Sequence, residues 1–476
     1  MKTPHTSPIS IRRIVAGIIL WGVLIGILSS RNIDIAAMEG YETKASVDEL
    51  RQQTMALKAS IERLKASVRN DKVEELTPLD RMNQDLHIVF STGCTTGPKQ
   101  STIDLSDLLL QHSAKQVGHR GPMTRIVSGC SAEQKQMLRA RPTLYPNYRL
   151  HFTRAFSPNP MPGVNDSYAP YNKPFGLRDW LEQTNITESL VALIDADFLF
   201  LRPLVVNTHS LVRYNGTHRN PAQVYDTVKD GVGLAQDWHN FMGAGMFHPG
   251  MRAQHLNKIC QGQPCLNVTR DDGDEYYSPT GPPYVMTMND MRRLIDDYCT
   301  FTVAVRKTHK TWMSEMYGFA VAAANQGIKF TIGLDLGVTH PKMGRPTVRE
   351  FWSFTERLTV NPCSDEEDPL PIYEYPVALH LCGLYTNMTL SNGETWTYFK
   401  RSLPPRLLEC QGPLLALPPP ELYERALELN GTTKPAEAWL HCTATKQVNA
   451  ALIELRKKQC PTGYRTDTIF KLTKTT

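Results

Sequence analysis

Asp195 and Asp197 are separated by one residue and directly follow the apolar run LVALI at residues 190–194. An apolar run of this length is typical of a buried strand. Residues two apart in an extended chain point to the same face, so both carboxylates can reach one point. Two hard oxygen ligands at one point suit Mn²⁺ or Mg²⁺, which would in turn hold phosphate oxygens. Solvated turn residues are the alternative interpretation, and the apolar flanks favour the metal site.

Predicted strands and helices alternate around this pair of aspartates. Strands are predicted at residues 87–92, 123–128, 148–153, 190–194, 330–332 and 376–382, and helices at 132–139, 175–183, 286–297 and 312–326, with a further helix that carries residues 105–110. Such alternation predicts an α/β fold with a mostly parallel sheet and helices on both faces. Ligands of these sheets bind beyond the carboxyl ends of the strands, where Asp195, Asp197, Ser91 and Thr92 fall.

Two residues in the second half of the chain are further candidates for the site. His380 lies in the apolar run PVALHLC at residues 376–382. A histidine in such a strand is commonly a hydrogen-bonded core residue, but it supplies a nitrogen ligand if the strand ends near the aspartates. Glu315 lies among apolar and aromatic neighbours in the helix at 312–326, and an exposed position on that helix is the alternative. The acidic residues 271–275 are predicted to form a solvated loop.

Any bound phosphate would have to be held by a metal and by side chains. The chain has neither a Gly-rich dinucleotide fingerprint nor a Walker loop, which favours a nucleotide-sugar site over an NAD or ATP site. Lys173 and Arg125 are candidates to touch phosphate, and each is equally well explained as a surface ion-pair residue. The net charge of +5 over 476 residues, without a basic patch interleaved with aromatics, gives no case for nucleic-acid binding.

The N-terminal residues predict a membrane anchor. Residues 14–28 are all apolar or glycine, and basic residues precede them. The run is at the low end of the ~20 residues that span a bilayer. A cleaved signal peptide is the alternative, although the small-residue cleavage site is poor. The basic flank favours an uncleaved signal anchor at residues 14–30 with a cytosolic tail at 1–13, so that the rest of the chain is luminal.

The cysteine pattern agrees with a luminal location. All ten cysteines lie beyond residue 30, their number is even, and no CxxC pair occurs, which predicts disulfides rather than zinc or redox sites. Cys260 and Cys265 bracket a short loop and can bridge locally. The tail helix predicted at 436–458 is expected to be peripheral and pinned by disulfides through Cys442 and Cys460. Six glycosylation acceptors fall in the same part of the chain: Asn165, Asn185, Asn215, Asn267, Asn387 and Asn430.

A heptad pattern from Val47 to Val68 predicts an amphipathic helix. This helix would be either a spacer or a short coiled coil that makes a homodimer. The predicted boundaries therefore place a stem at residues 31–85, a globular domain at 86–410, and a proline-rich segment with the C-terminal helix at 411–476.

Six blocks of the chain resemble the hydroxyproline O-arabinosyltransferase family and the related peptidyl serine α-galactosyltransferases. The blocks lie at residues 122–129 (PMTRIVSG), 171–174 with 180–182, 195–197, 281–286, 312–318 (WMSEMYG) and 379–381. They extend over about residues 87 to 405, and the block at 312–318 is the most specific. The chain departs from the plant arabinosyltransferases after Thr92 and in its acidic motif, which is Asp-Ala-Asp instead of Glu-Pro-Asp.

The resemblance implies a GT-A glycosyltransferase fold in a type II membrane protein of the Golgi or ER. It implies retaining transfer of a sugar from a UDP-sugar to hydroxyproline or serine of secreted proline-rich polypeptides. With this function, the metal (Mn²⁺ or Mg²⁺) would be held by Asp195, Asp197 and His380. The donor would be bound by Ser91, Thr92, Arg125, Lys173 and Asp195. Glu315 would be the catalytic residue, near the acceptor or the anomeric carbon.

Two other functions are alternatives. A non-catalytic luminal scaffold that kept the fold would bind UDP and metal without turnover, and the intact Asp195, Asp197 and His380 argue against it. A luminal metallo-hydrolase acting on phosphate esters usually assembles two metals from many Asp and His ligands. The sequence offers no second cluster of that kind.

Overall fold

A computed structural model of the chain describes residues 83–473, except residues 214–223, 239–244, 279, 342–343, 346–347, 350, 405 and 430–432. The predicted tail, the anchor at 14–30 and the heptad pattern of the stem lie outside the described residues. In the part that is described, no helix combines the length and the apolar composition needed to cross a bilayer. The prediction of a single-pass Golgi or ER membrane protein is wrong on this finding.

A seven-stranded sheet in the order β3-β2-β1-β4-β7-β6-β8 is the centre of the described chain. Its strands are β1 (Leu86–Gly93), β2 (Met123–Ser128), β3 (Tyr148–Thr153), β4 (Leu190–Ile194), β6 (Val232–Asp237), β7 (Thr280–Thr287) and β8 (Lys329–Gly333). Strands β1 to β4 are parallel, β7 is antiparallel to both of its neighbours, and β8 is parallel to β6. The predicted α/β fold with a mostly parallel sheet is confirmed.

Helices and short strand pairs surround this sheet. The helices are α1 (Gly97–Gln116), α2 (Ala132–Ala140), α3 (Asn172–Gln183), α4 (Arg270–Tyr276), α5 (Met288–Thr308), α6 (Ser314–Asn325), α7 (Glu421–Glu428) and α8 (Thr433–Gln459), and three consecutive helical segments span Pro249–Met251, Arg252–Leu256 and Asn257–Cys260. The strand pairs are β5 (Phe198–Phe200) with β11 (Ala378–His380), β9 (Gly344–Arg345) with β10 (Val348–Arg349), β12 (Leu384–Thr389) with β13 (Thr395–Phe399), and β14 (Leu414–Leu415) with β15 (Ile469–Phe470).

Alternate residues of the strands pack on opposite faces of the sheet. On one face Val89 and Val191 pack in a cluster with Leu177 of α3 and with residues of α5 and α6. On the other face Ile88 belongs to a cluster with Leu110 of α1. Because both faces are covered, β1 and β4 are almost continuous apolar runs, as is typical of parallel strands.

The C-terminal helix α8 is part of the core, so the prediction that it is peripheral is wrong. Trp439 and Leu440 are buried and belong to a cluster with Leu105 and Leu109 of α1. One side of the helix is therefore buried in the core, while Lys457 and Lys458 stay exposed. The predicted disulfides are confirmed: Cys363–Cys442 fixes the first half of α8, and Cys410–Cys460 fixes the residue directly after it. The other two are Cys94–Cys130 and the local bridge Cys260–Cys265.

Two further predictions are corrected at helix starts. The acidic residues 271–275 lie in α4 rather than in a loop, because the Thr269 side chain accepts a hydrogen bond from the Asp272 amide at 3.0 Å and caps the helix. Helix α5 begins at Met288 rather than Met286, because Met286 pairs with Val191 in the sheet.

Candidate metal and donor site

The three predicted metal ligands lie together at the end of β4. Asp195 and Asp197 are in the short connection between β4 and β5, and His380 ends β11. Strands β5 and β11 pair antiparallel with His380 opposite Phe198, which brings the imidazole beside Asp197. His380 Nε2 lies 3.2 Å from Asp197 Oδ1 and 3.5 Å from Asp195 Oδ2. One ligand atom from each of the three residues lies within 4.8 Å of the others.

Two aromatic side chains fix the imidazole of His380. Its ring stacks on Phe198 with centroids 4.6 Å apart and on Trp238 with centroids 5.2 Å apart. Gly281 allows this arrangement, because a Cβ at that position would lie 2.1 Å from the Trp238 side chain. The stacked rings therefore hold Nε2 toward the two carboxylates. Neither Trp238 nor Gly281 was a candidate from the sequence, because the contact joins separate segments of the chain.

Each aspartate also bonds to a lysine. Lys173, near the start of α3, places Nζ 2.7 Å from Asp195 Oδ1. Lys400, in the turn after β13, donates a hydrogen bond to Asp197 Oδ2. Burial disfavours the charged form of Asp197, but His380 and Lys400 outweigh it and hold the pKa of this carboxyl well below its ordinary value. The structure thus brings the predicted Lys173 to the site and adds Lys400, which no sequence pattern indicates.

Glu315 is buried at the start of α6 and linked to the same cluster. Its Oε2 lies 3.3 Å from Lys173 Nζ, and its Oε1 accepts a hydrogen bond from the Tyr298 hydroxyl. Burial raises the pKa of Glu315, while Lys173 opposes that shift. The alternative of an exposed helix residue is excluded, since only 4% of Glu315 is exposed. Lys173 therefore bridges Glu315 and Asp195.

Ser91 and Thr92 lie at the same edge of the sheet. Phe90 pairs with Ile194, so Ser91 and Asp195 both follow the last paired residues of adjacent strands. The Ser91 hydroxyl donates to the carbonyl of Asn172 at 3.1 Å. Thr92 Oγ1 accepts a hydrogen bond from Arg125 Nε at 3.0 Å. Both hydroxyls therefore form hydrogen bonds within the protein. Contact of either one with a nucleotide-sugar donor remains a prediction.

Arg125 is fully buried, and its guanidinium bonds to side chains inside the fold. Its guanidinium donates to Asp107 at 2.8 Å and to Asp104 at 3.3 Å. Burial disfavours the charge, but Asp107 leads the groups that hold the pKa of Arg125 above its ordinary value. These buried ion pairs account for an arginine at this position without any contact to a nucleotide-sugar donor. The sequence offered two interpretations of Arg125, contact with phosphate or an ion pair at the surface. The structure favours an ion pair, but a buried one.

The donor atoms of the cluster fit a divalent cation. Two carboxylate oxygens and one imidazole nitrogen converge, a mixed set that suits Mn²⁺, while Mg²⁺ prefers oxygen alone. Asp195 keeps 27% of its side chain exposed, so a ligand can reach it from solvent. Within the described residues no other group of three His, Cys, Asp or Glu ligand atoms converges in this way. The arrangement supports one metal rather than the pair that a two-metal hydrolase needs.

Comparison with known proteins agrees with part of the resemblance. The chain is 25% identical over 298 residues to a peptidyl serine alpha-galactosyltransferase of Arabidopsis thaliana, which covers 57% of this chain and 31% of that protein. It is 21% identical over 323 residues to a protein of the same name from Chlamydomonas reinhardtii, with 60% and 38% covered. The chain thus spans about a third of the length of these curated relatives. No family model matches it.

A solved structure described as the apo form of the WbbM bifunctional glycosyltransferase matches 63% of this chain and 46% of its own, at 13% identity and a TM-score of 0.34. At that TM-score the match does not establish a shared fold. The sequence similarity supports the predicted resemblance to peptidyl serine α-galactosyltransferases. The resemblance to hydroxyproline arabinosyltransferases remains a prediction.

Proposed function

We propose that this chain is a metal-dependent glycosyltransferase that moves a sugar from a UDP-sugar to a hydroxyl group of a peptide. The observation that carries the proposal is the convergence of Asp195, Asp197 and His380 at the carboxyl end of β4. That edge is where α/β sheets bind their ligands. The similarity to two galactosyltransferases along more than half of the chain supports the reaction class.

In this proposal the cluster holds Mn²⁺ or Mg²⁺ and the chain supplies the surrounding charge. A cation bound by Asp195, Asp197 and His380 would act as a Lewis acid toward the departing diphosphate. Lys173 is close enough to Asp195 to meet the same phosphates, and its position between two carboxylates keeps it charged. Ser91, Thr92 and Asp195 line the edge where the nucleotide would lie.

Glu315 is the proposed catalytic residue. It is the third carboxylate of the site and is connected to Asp195 through Lys173. A carboxylate in that environment can stabilise positive charge on the sugar or orient the acceptor hydroxyl.

Galactose and serine are the sugar and acceptor that we propose first, because both relatives carry those words in their names. Since UDP-galactose is an α-glycoside, an α-linked product would mean retention of configuration. Hydroxyproline and arabinose form the second pair to test, on the basis of the sequence blocks. The catalytic part is proposed to be residues 86–410.

The test is a transfer assay with the purified full chain, Mn²⁺, a panel of UDP-sugars, and peptides that contain serine or hydroxyproline. We expect a peptide product heavier by one hexose with UDP-galactose and the serine peptide. The Asp197→Asn variant should lose turnover and stay folded, because it removes one metal ligand charge at nearly constant volume. The exposed Asp271→Asn variant is its control.

Transfer by Asp197→Asn at the wild-type rate would refute the metal assignment. Binding of UDP with Mn²⁺ but no transfer to any peptide would favour the scaffold alternative. Release of phosphate from simple phosphate esters would favour the hydrolase.

A further inference from the structure

The two aspartates of the site each divide their oxygens between a lysine and the histidine. Asp195 presents Oδ2 to His380 and Oδ1 to Lys173. Asp197 presents Oδ1 to His380 and Oδ2 to Lys400. Each lysine therefore bonds one oxygen of its aspartate. The other oxygen, Asp195 Oδ2 or Asp197 Oδ1, faces His380 and the proposed position of the cation.

Lys400 reaches this point from a separate part of the fold. It is the first residue of the turn Lys400–Ser402, directly after β13 of the β12–β13 hairpin. Its side chain is 19% exposed and that of Asp197 is 13% exposed. The Lys400 side chain is therefore partly open to solvent beside the cluster, so that its ammonium group can meet a bound ligand without movement of the backbone.

The charges of the site show why a second lysine matters. With Glu315 ionised, three carboxylates and two ammonium groups leave one negative charge. A divalent cation turns this into one positive charge, which suits a diphosphate. Without Lys400 the cation-loaded site would be neutral. A leaving diphosphate gains negative charge as the bond to the sugar breaks, so fixed positive charge beside it favours departure.

We propose that Lys400 is a donor-binding residue that contacts the diphosphate of a nucleoside-diphosphate donor together with Lys173. The inference rests on the proposed function and goes beyond it by naming a residue that neither the sequence blocks nor the relatives identify. In the structure, Lys400 bonds to Asp197. When donor is bound, the same ammonium group serves the phosphate oxygens.

The experiment is calorimetric titration of the full chain with MnCl₂ alone, and with UDP in the presence of MnCl₂. Lys400→Met removes the ammonium group and keeps the length of the side chain. We expect UDP to bind about 10- to 100-fold more weakly, the usual range for loss of one charged hydrogen bond. Mn²⁺ alone should bind no more weakly, because Lys400 bonds Asp197 Oδ2, whereas Oδ1 faces the proposed cation position. Lys400→Arg should restore most of the UDP affinity.

Arg401→Met is the matched control, because Arg401 is exposed in the same turn and its guanidinium lies 5.8 Å from the Phe399 ring. It removes one positive charge nearby and should leave UDP affinity within about twofold of wild type. If Lys400→Met does not fold, Lys400→Gln keeps a hydrogen-bond donor toward Asp197 without the charge. The same loss of UDP affinity is expected from it.

Unchanged UDP affinity in Lys400→Met would overturn the inference. Equal weakening of Mn²⁺ and UDP would also overturn it, because Lys400 would then act only by positioning Asp197. In both cases wild-type binding of UDP leaves the proposed function standing. Failure of the wild-type chain to bind UDP with Mn²⁺ would instead overturn both.

Discussion

His380 Nε2 lies 3.2 Å from Asp197 Oδ1, although nearly two hundred residues separate them in the sequence. The pairing of β5 with β11 creates this contact, because it sets His380 opposite the residue that follows Asp197. The site therefore combines the end of β4 in the main sheet with two short strands that lie outside it. Its geometry depends on the side chains that keep those strands and the imidazole in place.

Gly281→Ala should weaken metal binding without touching a ligand. The new Cβ would lie 2.1 Å from the Trp238 side chain and force it to move, which removes one of the two rings stacked on His380. Loss of such support typically costs 10- to 100-fold in metal affinity, so about that loss is expected. Titration of Mn²⁺ measures it. Gly250→Ala is the control, because its Cβ would meet open space, and equal Mn²⁺ affinity in both variants would contradict the prediction.

Glu315→Gln should reduce kcat more than it reduces donor affinity. The substitution removes the charge of Glu315 but leaves Lys173 paired with Asp195 at 2.7 Å, so the donor side of the site is retained. We expect kcat to fall about 100-fold or more, with the Kd for UDP changed severalfold at most. Steady-state kinetics and UDP titration separate the two effects.

Tyr298→Phe is the companion variant for this prediction, since it removes one hydrogen bond to Glu315 and no charge. Its kcat should fall much less. A large loss of UDP affinity in Glu315→Gln with kcat intact would show that the residue acts only by holding Lys173.

Stability should decrease as the pH falls below about 6.5, because buried neutral histidines must take up protons on unfolding. Burial lowers the pKa of His119 and of His441 to about 3. Between pH 6.5 and 5 the unfolded chain binds protons that the folded chain does not, so each histidine costs about 2 kcal/mol over that interval. Urea unfolding with EDTA at several pH values measures the loss.

His119→Phe isolates one of these two groups. The ring can still stack on Tyr145, whose centroid lies 5.8 Å from that of His119. The variant should lose less stability than wild type between pH 6.5 and 5. His209→Asn, at an exposed position, should follow the wild-type profile. Parallel curves for wild type and His119→Phe would contradict the prediction.

The disulfides should differ in their contribution to stability according to the loops that they close. Cys363–Cys442 closes a separation of 79 residues, whereas Cys260–Cys265 closes 5. Loop entropy predicts losses of about 4.5 and about 2 kcal/mol, respectively, when each pair is replaced by alanine. Chemical unfolding of the two double variants compares them, and a larger loss from the short loop would refute the entropic account.

Much of the fold could be predicted because its strands are apolar runs between turn signals. Strands β2, β3 and β4 begin and end at the predicted residues. Strand β7 could not be predicted, because Pro282 and Pro283 lie within it and proline disfavours a central strand. The register shifts at that point, so that Gly281 and Tyr284 pair with β6 and the prolines stay outside the ladder.

The candidate site could be predicted where the sequence itself brings residues together and where a family block contains them, as for Lys173, Glu315 and His380. The spacing of Asp195 and Asp197 predicts that both carboxylates bind one metal. His380 is either a core residue or a third ligand by its sequence, and the structure supports the third ligand. Lys400 could not be predicted, because it reaches Asp197 from the end of the β12–β13 hairpin, which is distant from Asp197 in the sequence. For Arg125 the predictions are donor contact or a surface ion pair, and its buried ion pair could not be predicted because its partners Asp104 and Asp107 lie on a different element, α1.

Anomalous diffraction at the manganese edge, from crystals of the full chain grown with MnCl₂ and UDP, tests the metal site directly. We expect an anomalous peak bonded to Asp195, Asp197 and His380, with both carboxylates directed at it. Absence of a peak at these residues, with manganese bound elsewhere or with the aspartates turned to solvent, would refute the metal site.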